Sequence, residues 1–400
     1  MMHPSKELCC TKSRKLAKKR IVLGVTGSIA AVETVKLSRE LIRHGAEIIP
    51  VLSQAAQKII HPNTLEFATG NPPVTEIDGK VQHVAECGEV SDKADLLLIA
   101  PCTANTISKI AYGIDDTTVT TFATTAIGSK IPVIIVPAMH ISMYNHPIVL
   151  ENIEKLKSIG INFIEPKLEE HKAKMPDIME IVSFVIRTIG KRDLEGKKTL
   201  VIAGATSEEI DDIRFITNKS TGRTGVELAQ SAYERGAEVE LWMGRCQVQL
   251  PKYIPAKRFE STQKLLKMTD EIDHDIVLIP AAISDYTLEK KSGKIPSERD
   301  ELTLKLHPNP KIIQKIRKKS DCILVGFKAE FDISEDELIN RASSRMKETK
   351  LDLVVANDVS KTTLEENQVY IIGKDQKNDS VYAKKSEIAE RILDRVVDLC

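Results

Sequence analysis

From residue 21 onward, apolar residues gather in short, nearly unbroken runs, separated by stretches in which apolar and polar positions alternate with helical spacing. The runs at 21–25, 48–52, 95–100, 131–136 and 161–164 are rich in Val, Ile and Leu, the pattern of parallel strands covered on both faces. After the first run, Ala30, Thr34, Leu37 and Leu41 recur at i, i+4, i+7 and i+11, one stripe of a helix that Gly45 is suited to end. Strand, turn, helix, strand is the grammar of βαβ units. It breaks once, at the polar, glycine-bearing stretch 189–198, and then resumes. Residues 199–203, 238–242, 276–280, 322–326, 352–356 and 368–372 read as a second set of strands. The predicted fold is α/β: two doubly wound parallel-sheet (Rossmann-like) domains at 21–190 and 191–400, behind a basic N-terminal extension, 1–20. Local phrases recur between the halves, LIRHGAEIIPVL (41–52) with AYERGAEVELWM (232–243) and ADLLLIAP (94–101) with HDIVLIPA (274–281). Shared topology accounts for them, with only a weak hint of duplication.

Composition changes this picture little but narrows the ligands. Four hundred residues exceed what one core usually organises, in keeping with two domains. Lys+Arg and Asp+Glu are both 57, which removes the global electrostatic case for nucleic acid or an anionic membrane. Any anionic ligand must be held locally. Seven cysteines form neither a CxxC pair nor a dense framework, and so read as reduced thiols of a cytoplasmic protein without a cysteine-built zinc site. No apolar run approaches 18 residues, so no membrane span is expected, and the basic start lacks the apolar stretch of a signal peptide. That start reads as a frayed, solvated tail or an added helix.

Ligands of open α/β sheets bind beyond the carboxyl ends of the strands, which directs attention to the loops after each run. The first is GVTGSIA (24–30), a strand-to-helix turn in which Gly27 lets a backbone come close and the helix start offers amides to a phosphate. It lacks GxGxxG spacing, which favours a mononucleotide such as FMN over NAD; a merely structural turn is the alternative. The third and fourth runs end in APCTANT (100–106) and VPAMH (136–140), rich in small and hydroxyl side chains, with Thr117, Thr118, Thr120 and Thr121 between them. Those threonines suit helix capping and strand propensity equally well. In the second half, NKSTGRTG (218–225) is a basic, hydroxyl-rich loop opening into a helix with Val226, Ala229 and Tyr233 on one stripe. It resembles a phosphate cradle without being a P-loop, and a capped loop is the competing reading.

Taken together, TGSIAA, a histidine ahead of ADLLLIAP, APCTANT and PAMH resemble the flavin-dependent phosphopantothenoylcysteine decarboxylases. AGATSEEIDDIRFITNKSTGRTG, AAISDYT, GKIPS, VGFKAE and ANDVS stand in the order found in phosphopantothenate–cysteine ligases. The resemblance spans about residues 20 to 400 and implies a bifunctional enzyme of coenzyme A biosynthesis, its first domain flavoprotein-like. It implies that the second half joins 4'-phosphopantothenate to L-cysteine with CTP, through an acyl-cytidylate, and that the first half decarboxylates the product to 4'-phosphopantetheine with FMN. His83 is then the catalytic histidine, an imidazole able to accept a proton or orient the departing carboxylate. The resemblance places FMN against Gly27, Ser28, Ile29, Ser53, Pro101, Thr103, Ala104, Asn105, Thr106 and Thr121. Asn218 would hold the acyl-cytidylate and Lys294 would neutralise the triphosphate. Ser220, Gly222, Asp285, Phe327 and Lys328 would also bind CTP, and Asp285 would contact a Mg2+ that pyrophosphate chemistry implies. Homo-oligomers, up to a dodecamer, are implied as well.

Two departures matter. His140 stands where the family pattern has Asn, and is expected to contact the substrate carboxylate. The family's substrate-covering flap carries a cysteine, whereas 165–177 (EPKLEEHKAKMPD) has none, leaving Cys87, Cys102 or His171 as substitutes. Two other readings stay open: a two-domain NAD-dependent oxidoreductase, disfavoured by the missing GxGxxG, and a flavin-binding regulatory subunit, opposed by His83.

Overall fold

The computed structural model describes residues 3–296, 301–363, 365–375 and 378–400, and divides into two compact units, 1–191 and 192–400. In the first unit, strands β1 (Arg20–Val25), β2 (Glu47–Leu52), β3 (Leu96–Cys102), β4 (Val133–Pro137) and β5 (Asn162–Phe163) form one parallel sheet in the order 2-1-3-4-5. Alternation across the strands explains why the runs carry no polar face. Ile21, Leu23, Leu96, Leu98 and Ile134 enter one core, and Val22, Leu97, Ile99, Val133 and Ile135 the other. Each buried Leu or Ile contributes about 1.5–3 kcal/mol, so the sheet is stabilised from both sides. The helical stripe predicted after Ser28 forms as a 3-10 turn, Ile29–Glu33, running into the helix Thr34–Arg43, which buries Thr34, Leu37 and Leu41.

The basic start is neither frayed nor simply an added helix. Only Pro4–Glu7 is helical, and the rest is pinned as coil. The Leu16 amide donates to the His44 carbonyl (2.9 Å), Lys12 pairs with Glu40, and Leu16 lies fully buried in the core. Its charges sit on the outside of a short apolar anchor that positional charge alone does not reveal.

In the second unit, β6 (Lys198–Ala203), β7 (Glu238–Met243), β8 (Ala256–Arg258), β9 (Ile276–Ile279), β10 (Ile323–Glu330), β11 (Leu353–Asp358), β12 (Glu366–Gly373) and β13 (Asn378–Lys384) form an eight-stranded sheet. The order is 8-7-6-9-10-11-12-13, parallel except for the last two pairings, which are antiparallel. β8 and β13 were not expected from the apolar runs, because both are largely exposed edge strands. In both units the connection reverses direction beside the first strand, between β1 and β3 and between β6 and β9, the crevice where doubly wound sheets bind ligands.

Leu16→Ala is expected to cost about 2–5 kcal/mol of stability. Urea unfolding followed by circular dichroism checks this, and an unchanged midpoint would show that the N-terminal segment contributes nothing to the core.

Candidate active sites

At the first crevice, parallel strands separate and their last backbone groups need other partners. Thr26, fully buried just after β1, provides them: its hydroxyl donates to the Pro101 carbonyl (2.9 Å) and accepts from the Thr103 amide (3.0 Å). The Ser53 amide donates to the Val25 carbonyl (3.0 Å), and the Thr118 hydroxyl to the Leu52 carbonyl (2.7 Å). Four chain segments are thereby stitched around the ends of β1, β2 and β3, and bring Gly27, Ser28, Ser53, Pro101 and Thr103 together as expected. Thr26 was not singled out, and Thr118 was named only among hydroxyls that suit capping equally well; neither position carries a signal of where its hydroxyl will point.

The donor set suits a flavin mononucleotide. A Cβ on Gly27 would stand 2.6 Å from that of Ala55, so the turn approaches its neighbour more closely than any side chain allows. The Ser28 hydroxyl caps nothing, and the exposed Asn105 amide has no hydrogen-bond partner among the described residues. Ile29 stands 74% exposed at the rim. Thr103 caps the helix Ala104–Ala111, its hydroxyl accepting from the Thr106 amide (3.4 Å), while Ala104 and Thr106 lie buried behind it. No carboxylate stands among these residues to oppose a phosphate. The four threonines at 117–121 largely serve their own helix, Thr118–Gly128. Thr117 and Thr120 form its capping box, and the Thr121 hydroxyl donates to the Thr117 and Asp115 carbonyls (2.9 and 3.0 Å).

His83 lies on the short helix Gln82–Cys87, its ring edge-on to Phe122 with centroids 6.3 Å apart. Its Nδ1 is buried without a hydrogen-bond partner, a polar atom whose burial is costly until something pairs with it. His140 follows β4 in a two-residue strand, Met139–His140, paired with Lys172–Lys174 of a hairpin whose other strand is Lys167–Glu169. Glu170 and His171 both have positive φ (50° and 58°), as a two-residue hairpin turn requires. His140 Nδ1 lies 2.9 Å from the Ser142 hydroxyl and 3.4 Å from the Ser142 amide, so Ser142 engages this ring nitrogen and leaves Nε2 to meet a carboxylate. Of the three substitutes for a flap cysteine, Cys87 and Cys102 are fully buried, and burial pushes the Cys87 thiol up to about 12 and the Cys102 thiol higher still. His171 alone is exposed on the hairpin.

In the second unit, a cleft of about 460 Å³ is lined by Asn218, Lys219, Ser284, Asp285, Asn309, Lys311, Phe327, Lys328 and Arg345, among others. Four predicted residues, Asn218, Asp285, Phe327 and Lys328, thus converge. Asn218 Nδ2 donates to the Ala282 carbonyl (3.3 Å), Lys311 pairs with Asp285, and Lys328 with Glu330 (2.9 Å). Lys219 and Arg345 have no ion-pair partner among the described residues. The sequence reading missed Lys311 and Arg345. Lys311 had the local phrase NPK as a signal, but Arg345, deep in the helix Glu335–Thr349, had none. Ser220, Gly222 and Lys294 do not line this cleft. The Ser220 hydroxyl accepts from the Gly222 amide (3.3 Å), and Gly222 starts the helix Arg223–Glu234. Lys294 stands exposed between Gly293 and the buried Ile295; Ser297, the last residue of GKIPS, lies outside the described residues. Asp285 is the one carboxylate lining the cleft among the described residues, and no three His, Cys, Asp or Glu side chains among them group as a metal site. One carboxylate plus phosphate oxygens is a common way to hold Mg2+, so the cleft fits a metal that arrives with a triphosphate rather than a resident one.

Two family profiles cover the chain: Flavoprotein over residues 10–190 and the DNA/pantothenate metabolism flavoprotein C-terminal domain over 194–399. The coenzyme A biosynthesis bifunctional protein CoaBC of Thermococcus kodakarensis is 49% identical over 99% of both chains. The chain belongs to the CoaBC family. The CoaBC protein of Methanocaldococcus jannaschii is 42% identical over 100% of this chain and 98% of its own. Among solved structures, the DNA/pantothenate metabolism flavoprotein from Streptococcus pneumoniae matches 51% of this chain and all of its own, at 27% identity and a TM-score of 0.48. This CoaBC-family chain is a bifunctional enzyme of coenzyme A biosynthesis with decarboxylase and ligase activities, and the nicotinamide-dependent and non-catalytic readings find no support. No helix among the described residues is long and apolar enough to cross a membrane.

Asp211, in the hairpin that leads to Asn218, supplies a pH test. Burial alone would raise its carboxyl, but the amides of Ile213, Ile295 and Arg214 and the Arg214 guanidinium outweigh it and hold the group at about 2. A carboxyl depressed in the fold adds stability above its unfolded value, near 3.8, and loses it as pH falls toward 2. Fluorescence of Trp242, the single tryptophan and fully buried in this unit, is expected to report acid unfolding below about pH 4. Asp211→Asn should flatten that acid dependence, and an identical profile would refute the assignment.

Proposed function

We propose that residues 21–190 decarboxylate 4'-phosphopantothenoylcysteine with FMN and residues 191–400 make that compound from 4'-phosphopantothenate, L-cysteine and CTP. The observation that carries the ligase assignment is the convergence of Asn218, Lys219, Lys311, Lys328 and Arg345 on one cleft in a chain with no net charge. A carboxylate is a poor electrophile, and joining it to an amine requires activation by a nucleotide whose phosphates demand local cations. Asn218, with one amide hydrogen committed to Ala282, keeps its oxygen and second hydrogen for the acyl-cytidylate. Phe327 offers a face to the base, while Asp285 takes part in holding Mg2+ between phosphate oxygens. Ser220 and Gly222 support the start of the helix Arg223–Glu234, and Lys294 approaches the triphosphate from its strap.

In the first unit, the phosphate of FMN meets Gly27, Ser28 and the helix starts, and the ring system meets Ile29, Pro101, Ala104 and Asn105. When bound, FMN supplies two-electron oxidation of the substrate sulfur and returns the electrons after CO2 leaves. His83 takes or orients a proton near that sulfur, drawing on the unpaired Nδ1, and His140 Nε2–H holds the substrate carboxylate before it departs. The same reading makes the chain cytoplasmic and homo-oligomeric, up to a dodecamer. Exposed apolar side chains such as Ile29, Tyr112, Ile159 and Leu168 support the assembly.

The full chain, supplied with 4'-phosphopantothenate, cysteine and CTP, is expected to release pyrophosphate and CO2 and to purify yellow. His83→Asn should lower CO2 release roughly a hundred-fold or more while leaving pyrophosphate release intact; Asn218→Ala should lose both from these substrates but decarboxylate supplied 4'-phosphopantothenoylcysteine at the unaltered rate. Loss of pyrophosphate release in His83→Asn, loss of decarboxylation of the supplied compound in Asn218→Ala, or turnover with ATP as good as with CTP would refute the division of labour or the nucleotide.

A further inference from the structure

Lys294 carries weight in the ligase reading, yet a lysine on an exposed loop samples many rotamers, and a catalytic group displaced by about 1 Å loses much of its effect. The strap that bears it is not left to wander. The Ile295 amide donates to Asp211 Oδ2 (3.1 Å), and Arg214 Nη1 donates both to the Ile295 carbonyl (3.1 Å) and to Asp211 Oδ2 (3.0 Å). On the other side, the Gly293 amide donates to Asp212 Oδ2 (2.8 Å) and the Lys291 amide to the Ile210 carbonyl (3.0 Å). Gly293 has φ +74°, a left-handed kink that a side chain would strain. Residues on both sides of Lys294 are therefore fixed to the loop of one hairpin, Ser207–Glu209 and Phe215–Thr217, while the exposed lysine side chain has no ion-pair partner among the described residues.

We infer that Asp211 is a positioning residue for Lys294, holding the strap in register with the hairpin whose outgoing strand delivers Asn218 to the cleft. The inference rests on the ligase reading of Lys294. Asp211 does not line the cleft, and its side chain is fully buried, so it touches no substrate itself. Its two oxygens divide the work. Oδ1 accepts from the Ile213 and Arg214 amides (2.8 and 2.7 Å) and closes the hairpin loop, which needs nothing more. Oδ2 reaches outside the loop, to a residue 84 positions along the chain. Oδ2 also accepts from the loop's own Arg214, but a loop cap alone leaves its bond to the Ile295 amide unexplained; a tether for the strap accounts for that bond.

Asp211→Asn separates the two tasks, because the amide oxygen still accepts from Ile213 and Arg214 whereas the new NH2 cannot accept from Ile295. The assay is pyrophosphate release by the full chain from CTP, 4'-phosphopantothenate and cysteine, with decarboxylation of supplied 4'-phosphopantothenoylcysteine by the same preparation as internal control. The expected result is a kcat lowered roughly ten- to hundred-fold, with KM for CTP within about three-fold and decarboxylation unchanged. In a Lys294→Ala chain, adding Asp211→Asn is expected to cost less than about two-fold more, since both changes remove one contribution. Unchanged kcat in Asp211→Asn, effects that multiply in the double variant, or parallel loss of decarboxylation would each overturn the inference. If Lys294→Ala alone leaves pyrophosphate release intact, the ligase reading of Lys294 fails, a result distinguishable because Asp211 is then untouched.

Discussion

Two parallel strands that run side by side and then part leave amides and carbonyls with no partner, and both halves of this protein are organised by how that deficit is met. In each, a buried threonine just beyond the first strand of the unit bridges to the loop after the neighbouring strand. Thr26 accepts from the Thr103 amide at 3.0 Å; Thr206 accepts from the Ser284 amide at 2.8 Å. A buried hydroxyl can donate and accept at once, so Thr26 satisfies two backbone groups that water cannot reach, while Thr206 satisfies the Ser284 amide. The loops are thereby held open at the crevice without a ligand to support them. Without the bridge, the unpaired groups would favour closing the crevice or exposing it to solvent.

The correspondence between the units goes further than the recurring phrases suggested. The Leu16 and Leu194 amides donate to the carbonyls of His44 and Arg235 (2.9 and 3.1 Å), and those of Glu47 and Glu238 to Lys19 and Lys197 (2.8 and 2.9 Å). Asp95 and Asp275 accept from the first amides of β1 and β6, those of Arg20 and Lys198, at 2.9 and 2.8 Å. The two phrases thus occupy equivalent strands, β2 with β7 and β3 with β9, and repeat the contacts that begin each sheet. Topology alone explains like strands in like places. Matching hydrogen bonds, most of them made by the same residue types in both units, reflect the same geometric demand met twice.

The strands and the crevices beyond their carboxyl ends were legible because they depend on apolar runs and on glycine and proline at their ends, signals local to a few residues. Asn218, Asp285, Phe327 and Lys328 were placed by motif, and the cleft gathers all four. What escaped depends on distance in sequence. Leu16 reads as one apolar residue in a basic tail until helix Thr34–Arg43 covers it, and Arg345 reads as one more charge on an exposed helix until β10 brings Phe327 and Lys328 beneath it. The threonines at 117–121 suited helix capping equally well from the start, and Thr117 and Thr120 do form a capping box, while the Thr118 hydroxyl reaches the Leu52 carbonyl. Edge strands β8 and β13 escaped for a third reason, since one exposed face removes the continuous apolar run.

Net neutrality also takes on meaning inside the cleft. Four cations stand there, and two are already paired, Lys311 with Asp285 and Lys328 with Glu330. The Lys311 and Asp285 side chains remain 41% and 69% exposed, and such pairs are worth at most about 1 kcal/mol. That is enough to hold a flexible ammonium in one orientation and too little to resist a better partner. A triphosphate carries several negative charges in one rigid group, so it competes with a single hydrated carboxylate for Lys311 on favourable terms. Among the described residues, Lys219 and Arg345 have no carboxylate to give up and so would supply attraction at no such cost. On the proposed ligase reading, the cleft need not be strongly positive before the nucleotide arrives; a chain without net charge would keep its cations oriented by weak pairs and exchange those pairs when phosphate enters.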